Sequence, residues 1–296
     1  MELRVLQYFL AIAREQSIVR AAQSLHLSQP TLSMQIKALE EELGKQLFIR
    51  GTKGSRKVTL TDEGMILRKR AEEIMDLVQK TEKEISLSDQ VVVGDVYIGT
   101  GETDAVRLIV RTAKNLYETY PGIHYHIASG NASFVLEQLD KGLIDFGIIF
   151  GPVDQAKYHS LKIPHKDIWG VLMREDSPLA EKDFITPEDL WDKPLILSQQ
   201  ESRGGILTSW LKRDLPELEI VATYNLLFNA SLMVEEGLGY AIGFDKIINT
   251  TGDSRLCFRP LSPVEEADMS LIWKKYQIFS KASEKFMMKM KELSEL

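Results

Sequence analysis

The chain has 296 residues, of which 44% are hydrophobic and 27% charged, a composition typical of a globular protein with sizeable cores. This length is enough for two or three domains. A single cysteine, Cys257, excludes an internal disulfide and a cysteine-rich metal site. The N-terminus lacks the cationic start and apolar run of a secretion signal, and no stretch approaches the length of a membrane span, so a cytoplasmic protein is expected.

Charge is distributed unevenly along the chain. Residues 1–61 contain nine Lys and Arg against five Asp and Glu, a net charge of +4, whereas the whole chain carries −7. The remaining residues therefore carry −11. Such segregation is expected where only one end of a chain binds a polyanion such as DNA.

Residues 18–37 are predicted to form a helix-turn-helix core. The first helix has an apolar stripe at intervals of three and four residues, formed by Ile18, Ala21, Ala22 and Leu25. His26 and Leu27 make the turn, and Ser28 is a suitable N-cap for a second helix with Pro30 in its first turn. Gly44 is expected to end that helix. Its predicted buried residues are Leu32, Ile36, Leu39 and Leu43.

The outward side of the second helix carries residue types that read bases. Gln makes paired hydrogen bonds with adenine, and methyl groups of Met or Thr contact thymine. Residues 50–61 then have the composition of a short basic hairpin, or wing, that would meet phosphates or the minor groove. The predicted DNA-binding residues are Gln29, Pro30, Thr31, Ser33, Met34, Gln35 and Lys37 on the helix and Arg50, Lys53, Ser55, Arg56 and Lys57 in the wing. The alternative is a helical subdomain with a merely solvated basic loop.

Residues 62–88 are predicted to form one long linker helix with a heptad-like apolar seam. The seam consists of Leu67, Ala71, Ile74, Val78, Thr81 and Ile85. A helix of about 25 residues is about 38 Å long and too narrow to bury such a stripe on itself. A partner helix from a second subunit is therefore expected. The alternative is packing against the C-terminal region of the same chain.

From residue 91 onward, strands alternate with helices in two successive α/β lobes. The order in residues 91–150 is βαβαβ, which predicts a parallel sheet, and the alternation recurs in residues 168–243. A last strand at 269–273 and a helix at 280–293 return to the first lobe. Lobe I is thus predicted as residues 91–161 plus 269–296, and lobe II as residues 162–268. The hinges are expected near residues 161–168 and 262–268.

Three polar loops, at residues 99–104, 129–131 and 198–204, follow strand ends. They are expected to converge in the cleft between the lobes. The first, residues 99–104, resembles a dinucleotide-binding loop only superficially, because Asp104 replaces the third glycine and Glu102 would repel a pyrophosphate. A small polar or anionic metabolite is expected instead. The predicted effector-binding residues are Thr100, Gly101, Thr103, Ser129, Asn131, Ser198, Gln199, Gln200 and Arg203. The alternative is that these residues are ordinary caps and turns.

Neither a metal site nor a catalytic residue is predicted. His124 and His126 alternate on one strand, but no second cluster with zinc-like spacing accompanies them, so they are interpreted as surface or edge histidines. The strand-Gly-x-Ser-x-Gly-helix context of a serine hydrolase does not occur. We therefore expect a protein that is not an enzyme and that uses no cofactor other than a small-molecule effector.

The order Ala-Ala, Ser-Gln-Pro, Leu-Ser, Leu-Glu-Glu-Glu-Leu-Gly and Leu-Phe-Ile-Arg within residues 21–50 closely resembles the N-terminal domain of LysR-type transcriptional regulators. The resemblance covers residues 1 to about 64 and suits the chain length. It implies a winged helix-turn-helix at residues 1–61, a dimerising linker helix at 62–88, and an α/β effector-binding region at 91–296. That region would consist of two periplasmic-binding-protein-like lobes of type 2.

The resemblance further implies a sequence-specific transcriptional regulator whose effector binds between the lobes. Its partners would be a double-stranded DNA operator, a second copy of the chain and RNA polymerase, with tetramers as an alternative to dimers. Two departures from the family occur: Met34 replaces a common basic residue, and Phe244-Asp245 replaces a common Leu-Pro. The alternative function is a two-lobed binding protein or enzyme with a helical N-terminal extension.

Overall fold

The computed structural model describes residues 1–50, 57–86, 92–201 and 205–294. The chain divides into two compact units, Met1–Ser88 and Asp89–Leu296. Within the described ranges, no helix combines the length and the apolar character that crossing a membrane requires.

The first unit is built on three helices, α1 (Leu3–Glu15), α2 (Ile18–Ser24) and α3 (Gln29–Leu43). Their apolar faces meet in one core, in which Phe9 and Ile36 are at most 1% exposed. Ala21 and Ala22 are also buried, and their small side chains allow α2 to approach its neighbours closely. The predicted helix-turn-helix is confirmed.

The turn between α2 and α3 has the predicted caps. The hydroxyl of Ser28 accepts a hydrogen bond from the backbone N–H of Thr31 at 3.2 Å. His26 adopts a φ of 55° in the turn, and Gly44 ends α3 with a φ of 64°. The predicted burial of Leu43 is wrong: this side chain is 41% exposed, because the last turn of α3 extends beyond the core, where Leu39 is the last buried residue.

Strands β1 (Phe48–Arg50) and β2 (Val58–Leu60) form the base of the predicted wing. They pair antiparallel, with Phe48 opposite Leu60. The carboxylate of Glu40 on α3 accepts hydrogen bonds from the backbone N–H groups of Leu47 and Phe48, at 2.8 and 3.2 Å. These two bonds fix the start of the wing relative to α3.

The predicted linker helix is observed as α4 (Asp62–Ser86), but its seam is divided. Ala71 is fully buried, and Leu67 and Ile74 pack against the core of the winged-helix unit, next to α1. The assignment of the seam to a partner subunit is thus corrected for Ala71, which lies in the core of its own subunit, whereas Leu67 and Ile74 are half-buried at the edge of that core. Beyond the half-buried Val78, the seam is open to solvent, and Ile85 is 79% exposed.

Lobe I contains β3 (Gly94–Thr100), β4 (Ile123–Ser129) and β5 (Phe146–Phe150), with helices α5 (Val106–Thr119) and α6 (Ala132–Asp140) between them. β3 lies between β4 and β5 and is parallel to both. The edge strand β4 carries the exposed His124 and His126, as predicted. The returning strand β11 (Glu266–Lys274) pairs antiparallel with β5, and α9 (Lys281–Ser294) packs on this core.

Lobe II contains β7 (Leu195–Ser198), β8 (Ile220–Tyr224) and β9 (Tyr240–Phe244), which form a parallel set with β7 in the centre. Helices α7 (Ile206–Leu211) and α8 (Leu227–Glu235) connect the strands. Short 3-10 helices span Pro178–Glu181, Pro187–Asp189 and Leu215–Glu217. A further strand, β10 (Leu256–Pro260), contains the single cysteine, Cys257.

One strand, β6 (Tyr158–Arg174), runs through both lobes. Its residues 158–168 pair with β11 in lobe I, and its residues 169–174 pair with β9 and β10 in lobe II. The second α/β alternation, predicted to begin at residue 168, therefore begins inside a longer strand. The predicted hinge at 161–168 lies inside that strand. Backbone pairing of β6 with β11 in lobe I is followed directly along the strand by its pairing with β9 and β10 in lobe II.

Candidate functional sites

The N-terminal half of α3 presents the predicted base-reading side chains at the surface of the first unit. The exposed side chains are Gln29, Pro30, Thr31, Met34 and Lys37, and the half-buried ones are Ser33 and Gln35. The opposite side of the helix is anchored in the core by Leu32 and Ile36. The polar face is therefore held outward by the packing of the apolar face.

Several polar groups on this face bind one another. The side-chain amide of Gln29 donates to the hydroxyl of Ser33 at 2.7 Å, and Lys37 lies 3.4 Å from the carboxylate of Glu41. Because the groups are exposed, exchanging these partners for base edges or phosphates costs little. Met34 is 63% exposed and offers an apolar contact where the family often has a basic one.

The wing is only partly covered by the structure. Lys57 is exposed immediately before β2. Lys53, Ser55 and Arg56 lie outside the described residues, as does the side chain of Arg50. The proposed contacts of these four residues with DNA stay predictions.

A cavity of about 450 Å³ lies between the two lobes of the second unit. All three predicted polar loops reach it: Gly101 and Glu102 from the first, Gly130 and Asn131 from the second, and residues 198–201 from the third. The predicted convergence of the loops at the carboxyl ends of the strands is therefore observed.

Although all three loops reach the cavity, not every predicted side chain on them lines it. Gly101, Asn131, Ser198, Gln199 and Gln200 line the cavity. Thr100, Thr103 and Ser129 instead line an adjacent surface groove beside α5, which corrects their assignment. Arg203 lies outside the described residues.

Local hydrogen bonds explain this correction. The hydroxyl of Thr100 donates to the carbonyl of Gly101 at 2.9 Å, and the buried hydroxyl of Thr103 accepts from the backbone N–H of Ala105 at 3.0 Å. Asn131, although it lines the cavity, also caps α6 by accepting from the N–H of Phe134 at 2.9 Å. Capping, the alternative raised from the sequence, therefore accounts for several of these side chains.

Glu102 joins the two lobes. From the loop after β3, its carboxylate accepts a hydrogen bond from the backbone N–H of Leu227, the first residue of α8 in lobe II. The preceding residue, Leu226, provides no side-chain cap, so Glu102 supplies a cap from the other lobe. Partial burial raises the pKa of Glu102, against the opposing effect of the N–H groups of Leu227 and Phe228.

Glu201 places a second carboxylate in the wall of the cavity. It is 9% exposed and accepts a hydrogen bond from the backbone N–H of Leu207 at 2.9 Å, in the first turn of α7. Burial raises the pKa of Glu201. A Cβ on Gly205 would lie 2.1 Å from its carboxylate, so this close approach requires glycine.

Tyr224 shows that both carboxylates act on the same region. Its hydroxyl donates to the carbonyl of Ile242 at 2.7 Å. The pKa of Tyr224 is raised by burial first, and then by the negative charges of Glu102 and Glu201. Tyr224 and both carboxylates line the same cavity.

Three aromatic rings form an apolar wall of the cavity. Phe150 ends β5, Phe244 ends β9, and Trp169 lies in β6. The ring centroids of Phe150 and Phe244 are 4.7 Å apart, and those of Trp169 and Phe244 are 4.2 Å apart. Of the two residues that depart from the family pattern, Phe244 forms part of the cavity wall, whereas Asp245 does not line the cavity.

Glu201, Phe150 and Trp169 were missed by the sequence analysis. A signal existed for the first two: Glu201 lies in the third polar loop, after β7, and Phe150 stands at the carboxyl end of β5. Trp169 gave no such signal, because it lies inside β6, whose continuity was not recognised.

Two family models match the chain. Residues 3–65 match the bacterial regulatory helix-turn-helix protein model of the LysR family, and residues 89–293 match the LysR substrate-binding domain. The first match lies within the first compact unit, and the second spans nearly all of the second unit.

Similar proteins are also HTH-type transcriptional regulators. The HTH-type transcriptional regulator BsdA of Bacillus subtilis is 36% identical over 70% of this chain and 70% of its own length. YwbI of Bacillus subtilis, an HTH-type transcriptional regulator, is 30% identical over 96% of this chain and 93% of its own. Full-length CbnR in complex with its target DNA is 20% identical, with a TM-score of 0.75 over 99% of this chain and 100% of CbnR, and supports the fold. The chain belongs to the LysR family of DNA-binding transcriptional regulators.

Proposed function

We propose that α3 enters the major groove of an operator and that Gln29, Ser33 and Gln35 read its bases. Lys57, together with Arg50, Lys53 and Arg56, would hold phosphates or the minor groove. The proposal is supported by the outward polar face of α3 and by its rigid attachment to the wing through Glu40.

We also propose that a small-molecule effector binds in the cavity between the lobes and changes how two DNA-binding heads are spaced. The observation that carries this proposal is the cavity itself, which is lined by both lobes and bordered by the contact between Glu102 and Leu227. A ligand that binds one arrangement of the lobes more tightly than another shifts the population toward it.

The unit that binds DNA is proposed to be a homodimer, with a tetramer as the alternative. The second half of α4 supports this proposal, because Thr81 and Ile85 extend the seam with exposed side chains. Two linked heads bind two half-sites, so dimerisation raises operator affinity far more than affinity for random DNA.

We further propose that the protein catalyses no reaction, needs no cofactor beyond its effector, and acts in the cytoplasm, where RNA polymerase is a candidate partner. The similar proteins support a regulatory rather than an enzymatic role. Among the described residues, no group of three or more His, Cys, Asp or Glu side chains is placed to hold a metal ion.

The DNA part of this proposal can be tested with the full-length protein. Duplexes selected from a random pool are titrated by fluorescence anisotropy with the wild type and with Gln35→Ala. A loss of about 1–3 kcal/mol on the selected duplex, and little loss on random DNA, is expected for a base-reading residue. Gln7→Ala, on the exposed side of α1, is the matched control. Equal losses on both duplexes contradict base reading by Gln35.

A further inference from the structure

We propose that the cavity between the lobes takes an organic cation, a molecule with an ammonium group on an apolar or aromatic body. This inference rests on the proposed function, in which the cavity is the effector site. It replaces the expectation of a polar or anionic metabolite that the loops alone suggested.

In the described part of the chain, the charged residues that line the cavity are acidic. Glu102, Glu201, Glu266 and Asp268 line it, and the described lining residues include no Lys, Arg or His. Glu266 and Asp268 are each paired with a lysine, at 2.5 Å from Lys166 and 3.4 Å from Lys162.

The other two carboxylates lack such compensation. Neither Glu102 nor Glu201 forms an ion pair with any basic group in the described part of the chain, and backbone N–H groups are their hydrogen-bond donors. Two partly desolvated carboxylates in the wall of one cavity attract a cation strongly, because the low local dielectric enhances the interaction.

Two of the helix starts at the cavity are already occupied by carboxylates. The N-terminus of α8 is capped by Glu102, and the first turn of α7 by Glu201. An anionic ligand would have to displace one of these carboxylates or add a third negative charge beside them. At these two helix starts, the described part of the cavity disfavours an anion by geometry as well as by charge.

The aromatic wall completes the site. Phe150, Trp169 and Phe244 offer ring surface to an apolar body, and ring faces also attract ammonium groups. Trp169 is 6% exposed, so this wall is fixed by the packing of β6 rather than by a mobile loop. An ammonium group between the carboxylates and a body on the rings uses both features at once.

The test compares three probes with one skeleton: 2-phenylethylamine, 3-phenylpropanamide and 3-phenylpropanoate. Binding to the full-length protein is followed by thermal shift and titration calorimetry at pH 7.5. We expect the amine to raise Tm and to bind at least about tenfold more tightly than the carboxylate, a difference that one uncompensated charge supplies.

Variants then locate the binding. Glu102→Gln and Glu201→Gln keep an acceptor oxygen. Each should weaken binding of the amine about tenfold and leave the affinity for the amide unchanged. Glu181→Gln, at an exposed glutamate outside the cavity, is the matched control. Phe244→Ala should weaken both the amine and the amide, because the ring contacts the body they share.

Three results would overturn the cation class: no thermal shift with the amine, equal or tighter binding of the carboxylate, or an amine affinity that neither Gln variant changes. Tight binding of the carboxylate that Phe244→Ala abolishes would leave the proposed effector site standing and refute only the cation. A separate result would contradict the proposed function itself: compounds that bind in the cavity and leave the affinity of the protein for DNA unchanged.

Discussion

The carboxylate of Glu102 in lobe I accepts a hydrogen bond from the backbone N–H of Leu227 in lobe II. One side chain thus caps a helix of the opposite lobe at the edge of the cavity. Anything that competes for Glu102 or for the N-terminus of α8 changes the free energy with which the lobes hold each other. This contact is the most direct physical link between ligand binding and lobe arrangement that the structure offers.

Removing the acceptor should destabilise the second unit. Glu102→Ala leaves backbone N–H groups at the start of α8 without their cap, which is expected to lower the free energy of unfolding by about 1–2 kcal/mol. Glu102→Gln keeps an acceptor and should stay within about 0.5 kcal/mol of the wild type. Urea unfolding at pH 7.5 measures both values. Equal losses for the two variants would mean that the hydrogen bond does not hold the lobes.

The buried carboxylate of Glu201 predicts a pH dependence with a definite sign. Burial raises its pKa above the reference value of 4.5, so the folded state holds the proton more tightly than the unfolded state. The stabilisation from protonation is present below pH 4.5 and is lost as the pH rises through the raised pKa. Glu201→Gln removes this loss. The difference between the Tm of Glu201→Gln and the Tm of the wild type should therefore increase as the pH rises from 4.5 to neutral.

Glu181→Gln provides the comparison, because that glutamate is exposed. Thermal unfolding at a series of pH values gives the two difference curves. A flat curve for Glu201→Gln would show that Glu201 is not desolvated in solution.

Lys57 should act on DNA through charge alone. Its replacement by Ala removes one phosphate-facing charge, so affinity should fall similarly for selected and random duplexes, and the salt slope should decrease by about one unit. Anisotropy titrations at several salt concentrations measure this slope. A loss confined to the selected duplex would instead make Lys57 a base-reading residue.

The divided seam of α4 predicts that two similar substitutions have different effects. Ile85→Asp should disrupt dimerisation without lowering the Tm of the winged-helix unit, because Ile85 is 79% exposed within its own subunit. Ile74→Asp should lower Tm, because Ile74 packs against the winged-helix core. Light scattering and thermal unfolding separate the outcomes. A stable dimer of Ile85→Asp would place the subunit interface elsewhere.

The helix-turn-helix could be predicted in detail because its signals are local. Ser28 and Gly44 cap α3 through contacts with residues close to them in sequence. The spacing of apolar residues determines which side of the helix is buried. Leu43 shows the limit of that reasoning: its spacing is right, but burial depends on how far the core extends. The seam of α4 has the same limit, since spacing does not tell which neighbour covers Leu67 and Ile74.

The cavity could be predicted only at the level of loops. Strand ends indicate where polar loops converge, and the loops carrying Gly101, Asn131 and Ser198 do converge. Which atoms face the cavity depends on local hydrogen bonds such as that of Thr103 with Ala105, and on contacts between distant segments such as that of Glu102 with Leu227. Neither kind of contact leaves a periodic pattern in the sequence.

The central claim, that occupancy of the cavity between the lobes controls DNA binding, is tested most directly by one titration. The Kd of the full-length protein for its selected duplex is measured by anisotropy, with and without 2-phenylethylamine at a concentration that saturates the thermal shift, for the wild type and for Phe244→Ala. The account predicts a change in Kd of about fivefold or more in the wild type, a typical coupling between sites, and no change in the variant. An identical Kd with and without the bound amine in the wild type would contradict it.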